Sequence, residues 1–339
     1  MKKIFIMLTI LLLFSSCKLK ISDKLKDTKS SSHSIAMNND STDKFNTHID
    51  FYSILSKYFN NQINSYILEF GKDKELKINS DEPSFVASDI KPDIESFTNS
   101  IGKESYFANL DEKAKELLPI LEKLNDSFIE ASQYYKGGDY REDNYKKGKE
   151  LHTKIIALIY EYYKVYDEYE EELKKSSKLQ HEKELEVAEK SGNKIAVGNL
   201  KTSIAMNEIM DELSKEQLNG SNFTEKGDAS KLQQLYDKFV IAQEELRKAA
   251  NNPDIVKKYD FDESYVESYV NSVIEFKRST YTLINRIKNK QKTSDFNIER
   301  AQKYGQMTFL ENDEGTPENL YKKFNEAMDN YNKVYDYKL

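Results

Sequence analysis

Apolar residues recur every three or four positions over most of the chain, which is the spacing of one face of an α-helix. The segments that carry such a stripe are 52–70, 111–136, 144–189, 195–218, 229–250, 263–290 and 316–335. Residues 72–105 are less regular and are expected to hold a loop and one short helix. No segment alternates apolar and polar residues as a half-buried strand would. The pattern predicts an all-α fold, an elongated antiparallel bundle of long helices without a sheet.

Several helix ends are marked by residues that suit a cap. Asp111 is a candidate N-cap for the second stripe, and Gly137–Gly138 should stop the same helix. Pro119 lies inside this segment and should either kink the helix or mark a late start. Thr316 can cap the last helix, with Pro317 in the favoured first position.

The stretch from Glu168 to Lys190 consists mostly of glutamate and lysine. Its thin apolar seam is formed by Leu179, Leu185 and Val187. Charged pairs four residues apart support an exposed helix. The pattern therefore predicts a solvated or protruding extension, in preference to a partner-binding site.

The N-terminus has the layout of a secretory signal. Lys2 and Lys3 are followed by an apolar run over 4–14, by two serines and then by Cys17. The run is shorter than the roughly 20 residues that a membrane-spanning helix needs. Residues 1–16 are therefore interpreted as a bacterial lipoprotein signal peptide that is removed on export.

Cys17 is the predicted lipidation site, because a thiol after the cleavage point can carry diacylglycerol while the freed amine takes a further fatty acid such as palmitate. Phe14 departs from the leucine usually found three residues before such a cysteine. The alternative is an ordinary secretory signal followed by an incidental cysteine. Cys17 is the only cysteine, so the lipidated protein would contain neither a disulfide nor a thiolate metal site.

The segment after Cys17 is rich in lysine, serine, aspartate and asparagine and poor in aromatic residues. Such a composition buries too little apolar surface to offset the entropy of ordering. Residues 17–43 are therefore interpreted as a flexible tether and 44–339 as a single all-helical domain. The net charge of -7 argues against a nucleic-acid partner.

Common catalytic and metal-binding motifs are missing from the sequence. The histidines His33, His48, His152 and His181 show no zinc-ligand spacing. No nucleophile elbow, phosphate-binding loop or dinucleotide fingerprint is present. These observations favour a protein without a cofactor and argue against a zinc enzyme or a serine hydrolase.

One polar cluster keeps a second interpretation open. Three carboxylates lie within five residues, at Asp139, Glu142 and Asp143. Lys147 and His152 follow within the next nine residues. Carboxylates in such density can seat a cation, although the spacing of an EF-hand loop is not met. The structural alternative is that Asp143 caps the next helix and that His152 packs at the edge of the bundle.

The 23 tyrosines, in a chain without tryptophan, suggest a carbohydrate-binding platform. Most of them, however, lie on the same helical stripes as leucine and isoleucine. Packing in the core with the hydroxyl at its rim explains that placement better.

The chain resembles the YiiG-like bacterial lipoproteins, a family usually classed as a domain of unknown function. The residues that carry the resemblance are Tyr134-Tyr135, Asp139-Tyr140, Asp143-Asn144-Tyr145, Lys147-Gly148-Lys149 and Leu151-His152, supported by the segments 57–67, 117–121 and 321–332. The resemblance implies an exported, helical, lipid-anchored protein. It brings no activity and no catalytic residue.

Taken together, the sequence predicts a bacterial envelope lipoprotein on the exported side of the membrane, either periplasmic or at the cell surface. Its expected role is a non-enzymatic binding module, held to the membrane through lipid on Cys17, whose partner is an envelope protein or a small ligand. The alternative is a cation-binding or hydrolytic envelope protein that uses the acidic turn at 139–143.

Overall fold

The computed structural model describes residues 39–78, 82–101, 107–259 and 261–336. Within these ranges every regular element is a helix and no strand occurs, which confirms the all-α fold class. The described residues fall into two compact units, one ending at Ser177 and the other starting at Lys178. Cys17, the predicted signal peptide and 17–38 of the predicted tether lie outside the described residues. None of the helices in the described ranges is long and apolar enough to cross a membrane.

The first unit is built from five helices and two short irregular turns. They are α1 (Asn39–Ile54), a π-helical turn (Leu55–Phe59), α2 (Asn60–Phe70), α3 (Lys91–Ser100), α4 (Ala108–Gly137), a 3-10 turn (Asp139–Arg141) and the first part of α5 (Lys146–Ser191). The residues joining α1 to α2 keep right-handed helical dihedral angles, so the chain is helical without a break up to Gly71. Gly71 has a φ of +85°, which suits glycine and confirms the predicted helix end. α3 is the short helix expected within 72–105.

For α4 the predicted N-cap is wrong, and one of the two alternatives given for Pro119 is excluded. The helix begins at Ala108, so Asp111 lies in its first turn as a buried acceptor for His48 and is not the N-cap. The helix also runs through Pro119, which excludes a late start at that residue. Gly138 ends the helix in the left-handed conformation, with a φ of +80°, as predicted for Gly137–Gly138.

Aromatic rings form the centre of the first unit. The fully buried Phe128 of α4 has ring centroids within 5.8 Å of Phe59, 5.5 Å of Tyr66 and 5.4 Å of Phe85. Tilted contacts at these distances are favourable for aromatic pairs. Across both units the buried tyrosines are Tyr52, Tyr66, Tyr134, Tyr135, Tyr140, Tyr162, Tyr166, Tyr169, Tyr269, Tyr321 and Tyr331. For these residues the predicted packing in the core is confirmed.

The second unit contains the end of α5 and eight further helices. They are α6 (Lys194–Lys215), α7 (Phe223–Lys226), α8 (Ala229–Ala250), α9 (Pro253–Lys258), α10 (Glu263–Lys288), α11 (Asp295–Tyr304), α12 (Thr308–Glu311) and α13 (Pro317–Asp336). α8 packs against α6 and α10, and α10 also packs against α13. Gly198 permits the α6–α8 approach, because a Cβ there would lie 2.8 Å from the Cα of Leu246. Thr316 caps α13, as predicted, and its hydroxyl accepts the N–H of Asn319 at 3.1 Å.

The C-terminal part of α5 buries one face, although a solvated or protruding extension was predicted there. Leu179 and Val187, two members of the predicted apolar seam, are exposed. The buried positions are instead Ser176, Ser177, Gln180, His181, Glu184 and Ala188. This stretch therefore carries a polar buried face, and the prediction of a solvated or protruding extension is wrong for it.

Candidate functional site

The residues that carry the family resemblance form the reversal between α4 and α5, here named the signature turn (residues 134–152). Asn144 and Tyr145 adopt φ values of 52° and 61°. This is the left-handed backbone conformation, which residues other than glycine rarely adopt. The backbone N–H of Tyr145 donates to the carbonyl of Tyr140 at 3.1 Å. Because two neighbouring residues hold a strained conformation, the surrounding contacts must fix this turn firmly.

Asp143 organises the start of α5. Its Oδ1 accepts the hydroxyl of Tyr134 at 2.7 Å, and its Oδ2 accepts the backbone N–H of Lys147 at 2.9 Å. The Tyr134 hydroxyl, with a further contribution from the backbone N–H of Lys147, lowers the pKa of Asp143 below its ordinary value. Both carboxylate oxygens are thus used within the turn, and the predicted capping role of Asp143 is confirmed.

Gly148 allows α5 to lie directly on two tyrosine rings. A Cβ at this position would come within 2.9 Å of the Tyr135 hydroxyl and 3.1 Å of Cε1 of Tyr134. Tyr135 in turn stacks on Phe70, with ring centroids 4.3 Å apart and planes 22° from parallel. The close packing of α5 on these two rings therefore explains why residue 148 of the signature turn is a glycine.

His152 is fully buried and does not lie at the edge of the bundle, so the sequence-based placement is wrong. Its Nε2 lies 2.8 Å from the carbonyl oxygen of Asp73, and its Nδ1 lies 3.1 Å from the hydroxyl of Tyr66. A carbonyl oxygen only accepts, so Nε2 carries the proton and Nδ1 accepts from Tyr66. Burial lowers the pKa of His152, which favours this neutral form.

The remaining polar residues of the turn do not converge on one point. Asp139 and Glu142 are exposed, while Lys147 forms an ion pair with Glu130 at 2.9 Å. Over the described ranges, no three histidine, cysteine, aspartate or glutamate side chains are grouped so that they could hold a metal ion. The geometry favours a structural role for the turn.

A second polar network joins three helices of the first unit, and the sequence did not reveal it. Nε2 of His48 lies 2.8 Å from Oδ1 of Asp111, and its Nδ1 lies 3.1 Å from the hydroxyl of Tyr169. A histidine between a carboxylate and a hydroxyl is also found in hydrolytic sites. Here His48 is 1% exposed and Asp111 4% exposed, so a substrate cannot reach the network and its role is to hold the helices together.

One sequence signal could have indicated this network. His48 lies three residues after Phe45 and four before Tyr52, so it shares their apolar stripe. A polar side chain at such a position must find a buried partner. The sequence does not tell which residue that partner is.

We expect the two acids of the signature turn to differ in their effect on stability. Asp143→Ala removes a cap and a tyrosine partner and should lower the melting temperature by a few degrees, whereas the exposed Asp139→Ala should leave it nearly unchanged. Thermal unfolding followed by circular dichroism measures both variants. If the turn bound a cation, the result would differ. Calcium would then raise the melting temperature of the parent protein, and neither variant would show that rise.

The fold and the site define an all-helical protein whose helices are tied together by buried tyrosine and histidine contacts. The chain belongs to the family described as "Protein of unknown function (DUF3829)", whose family model matches residues 39–333. This match agrees with the expected domain of unknown function. No curated protein and no solved structure matches the chain.

Proposed function

We propose that this protein is a bacterial envelope lipoprotein, anchored by lipid on Cys17, whose helical part is a non-enzymatic binding module on the exported side of the membrane. The observation that carries the proposal is the N-terminal sequence, in which a basic start, an apolar run and two serines lead directly to the only cysteine. The family match begins at residue 39, which leaves the preceding stretch free to serve as signal and tether.

The contacts of the signature turn support a binding module over an enzyme. Asp143 is occupied by Tyr134 and by a backbone N–H, and His152 is occupied by Tyr66 and a carbonyl. These polar groups stabilise the helical scaffold and are not presented to a substrate. The finer likeness to YiiG-like lipoproteins adds support for export and lipid attachment.

Metabolic labelling with a radioactive fatty acid tests the anchor. The parent protein should incorporate the label, and Cys17→Ser should lose it completely because the acceptor thiol is gone. Ser16→Ala is the matched control, since it keeps a small residue before the cleavage point and should retain the label. Unchanged labelling of Cys17→Ser would refute the anchor.

The binding role has a separate test. Crosslinking in intact envelope followed by capture should recover a specific partner or ligand with the parent protein. Measurable substrate turnover by the purified helical part, together with no recovered partner, would contradict the proposed role.

A further inference from the structure

The second unit contains a small cavity lined mainly by polar and charged side chains. It lies between residues 275–279 of α10, residues 311–314 at the end of α12 and in the turn that follows it, and residues 319–323 of α13. We name it the polar cavity. Its volume is about 190 Å³, which corresponds to roughly six water molecules in the liquid, at about 30 Å³ each. Pockets for drug-sized ligands measure about 300–1,000 Å³, so the polar cavity suits a smaller molecule.

Buried hydrogen bonds fix the inner wall of the polar cavity. The hydroxyl of Ser279 donates to Oδ1 of Asn319 at 2.7 Å, and Nδ2 of Asn319 donates to the backbone carbonyl of Glu311 at 2.7 Å. Ser279 and Asn319 are both buried. These bonds join α10, α12 and α13, so the wall is formed without a ligand, as it is in most small-molecule sites.

Six charged side chains line the polar cavity, three acidic and three basic, and four of them have partners of opposite charge. Nε of Arg278 lies 2.9 Å from Glu314, and its Nη2 lies 2.9 Å from Glu275. Lys323 lies 2.9 Å from Glu326, which does not line the cavity. Because these charges are matched within the protein, they add no net preference for a ligand of either sign.

Glu311 and Lys322 are the two lining charges that remain. Over the described residues, the Glu311 carboxylate accepts no hydrogen bond and belongs to no ion pair, and Lys322 has no carboxylate partner. The ammonium of Lys322 donates to Oδ1 of Asn312, a neutral amide, at 2.8 Å. Both charged residues are half-buried, and a charge that is partly removed from water gains most from a partner of opposite sign. The polar cavity therefore offers one acceptor for a cation and one donor for an anion.

We propose that the polar cavity binds a free amino acid. The ammonium of the ligand donates to the carboxylate of Glu311, and its carboxylate accepts from the ammonium of Lys322. Asn312 directly follows Glu311 and holds Lys322, so the ammonium of Lys322 is kept near the turn that carries the carboxylate. A ligand with only one charge would leave Glu311 or Lys322 without a partner. The proposal rests on the proposed function and deepens it, because it names the small ligand of the binding module.

Ligand-observed NMR on the purified full-length protein tests the polar cavity, with each of the twenty protein amino acids added singly at about 1 mM. At least one of them should bind. For the best ligand, N-acetylation removes the ammonium and amidation removes the carboxylate, and each change should weaken the affinity about tenfold. Glu311→Gln and Lys322→Gln should each weaken it to a similar degree.

The same measurements assign each charge of the ligand to one residue. In Glu311→Gln, N-acetylation of the ligand should cost little further affinity, whereas amidation should still weaken binding about tenfold. Lys322→Gln should show the reverse. This comparison separates a direct contact from a general effect of the substitution on the fold.

Glu299→Gln and Lys303→Gln are the matched controls, because this exposed ion pair on α11 does not line the polar cavity. Both controls should bind like the parent, and circular dichroism should show that all variants are folded. The proposal is overturned if none of the twenty amino acids binds, if the acetylated and amidated derivatives bind as well as the amino acid itself, or if cavity and control variants lose affinity equally. Each of these failures leaves the labelling of Cys17 and the capture of an envelope partner unaffected.

Discussion

Asp111→Ala is expected to lower the free energy of unfolding by about 3 kcal/mol. Asp111 is buried in the first turn of α4, and its Oδ1 lies 2.8 Å from Nε2 of His48. Removal of the carboxylate leaves a buried imidazole nitrogen without its partner, and water cannot replace it at a side chain that is 1% exposed. The variant also loses a negative charge near the positive N-terminal end of α4.

Urea denaturation followed by circular dichroism measures this loss. Asp126→Ala is the matched control, because Asp126 lies on the same helix with an exposed side chain and should change stability by less than about 0.5 kcal/mol. Asp111→Asn keeps one acceptor oxygen and should fall between the two. If Asp111→Ala and Asp126→Ala unfold at the same urea concentration, the His48 network does not stabilise the fold.

Glu184→Gln is expected to stabilise the protein at alkaline pH and to have little effect near pH 4. Burial raises the pKa of the Glu184 carboxyl to about 8, from an ordinary value of 4.5, although a hydrogen bond from Gln180 partly opposes the rise. The folded protein therefore keeps a proton that the unfolded chain releases. Its stability falls as the pH rises from 4.5 to about 8 and then levels off.

Glutamine stays neutral at every pH and avoids this loss. At pH 8.5 the substitution should raise the free energy of unfolding by about 3 kcal/mol. Each unit of pKa shift corresponds to roughly 1.4 kcal/mol, and the gain is set below the full conversion because the Glu184 carboxyl is not completely shielded from water. Chemical denaturation at pH 4 and pH 8.5 gives the difference. Glu182→Gln is the control, because Glu182 is an exposed neighbour on α5. A Glu184→Gln effect that is the same at both pH values would contradict the assigned burial.

Long helices could be predicted closely from the sequence. The stripe at 229–250 coincides with α8 (Ala229–Ala250), and the stripe at 263–290 with α10 (Glu263–Lys288). By contrast, α7 (Phe223–Lys226) and α12 (Thr308–Glu311) have four residues each. A single helical turn carries too few apolar positions to show a period, so such helices form only because their neighbours hold them.

The signature turn was predictable only where it depends on local contacts. Asp143 caps the helix that starts three residues later, which a sequence rule can anticipate. The pairs His48–Asp111 and Tyr66–His152 are separated by 63 and 86 residues. Their meeting depends on how the helices pack, and periodicity within one helix carries no information about it.

The buried polar face of α5 escaped prediction for a related reason. The sequence predicts a solvated or protruding extension here, yet Glu184 is buried while the apolar Leu179 is exposed. The rule that apolar residues are buried holds on average and fails where neighbouring elements cover a polar face. Such departures are where function or pH dependence is to be sought.

We propose that Cys17 ties the helical protein to a membrane. The most direct measurement is mass spectrometry of the N-terminal peptide of the mature protein purified from its own membranes. We expect this peptide to begin at Cys17 and to carry diacylglycerol on the Cys17 thiol. A mature peptide that begins at Met1, or that contains Cys17 without lipid, would contradict it.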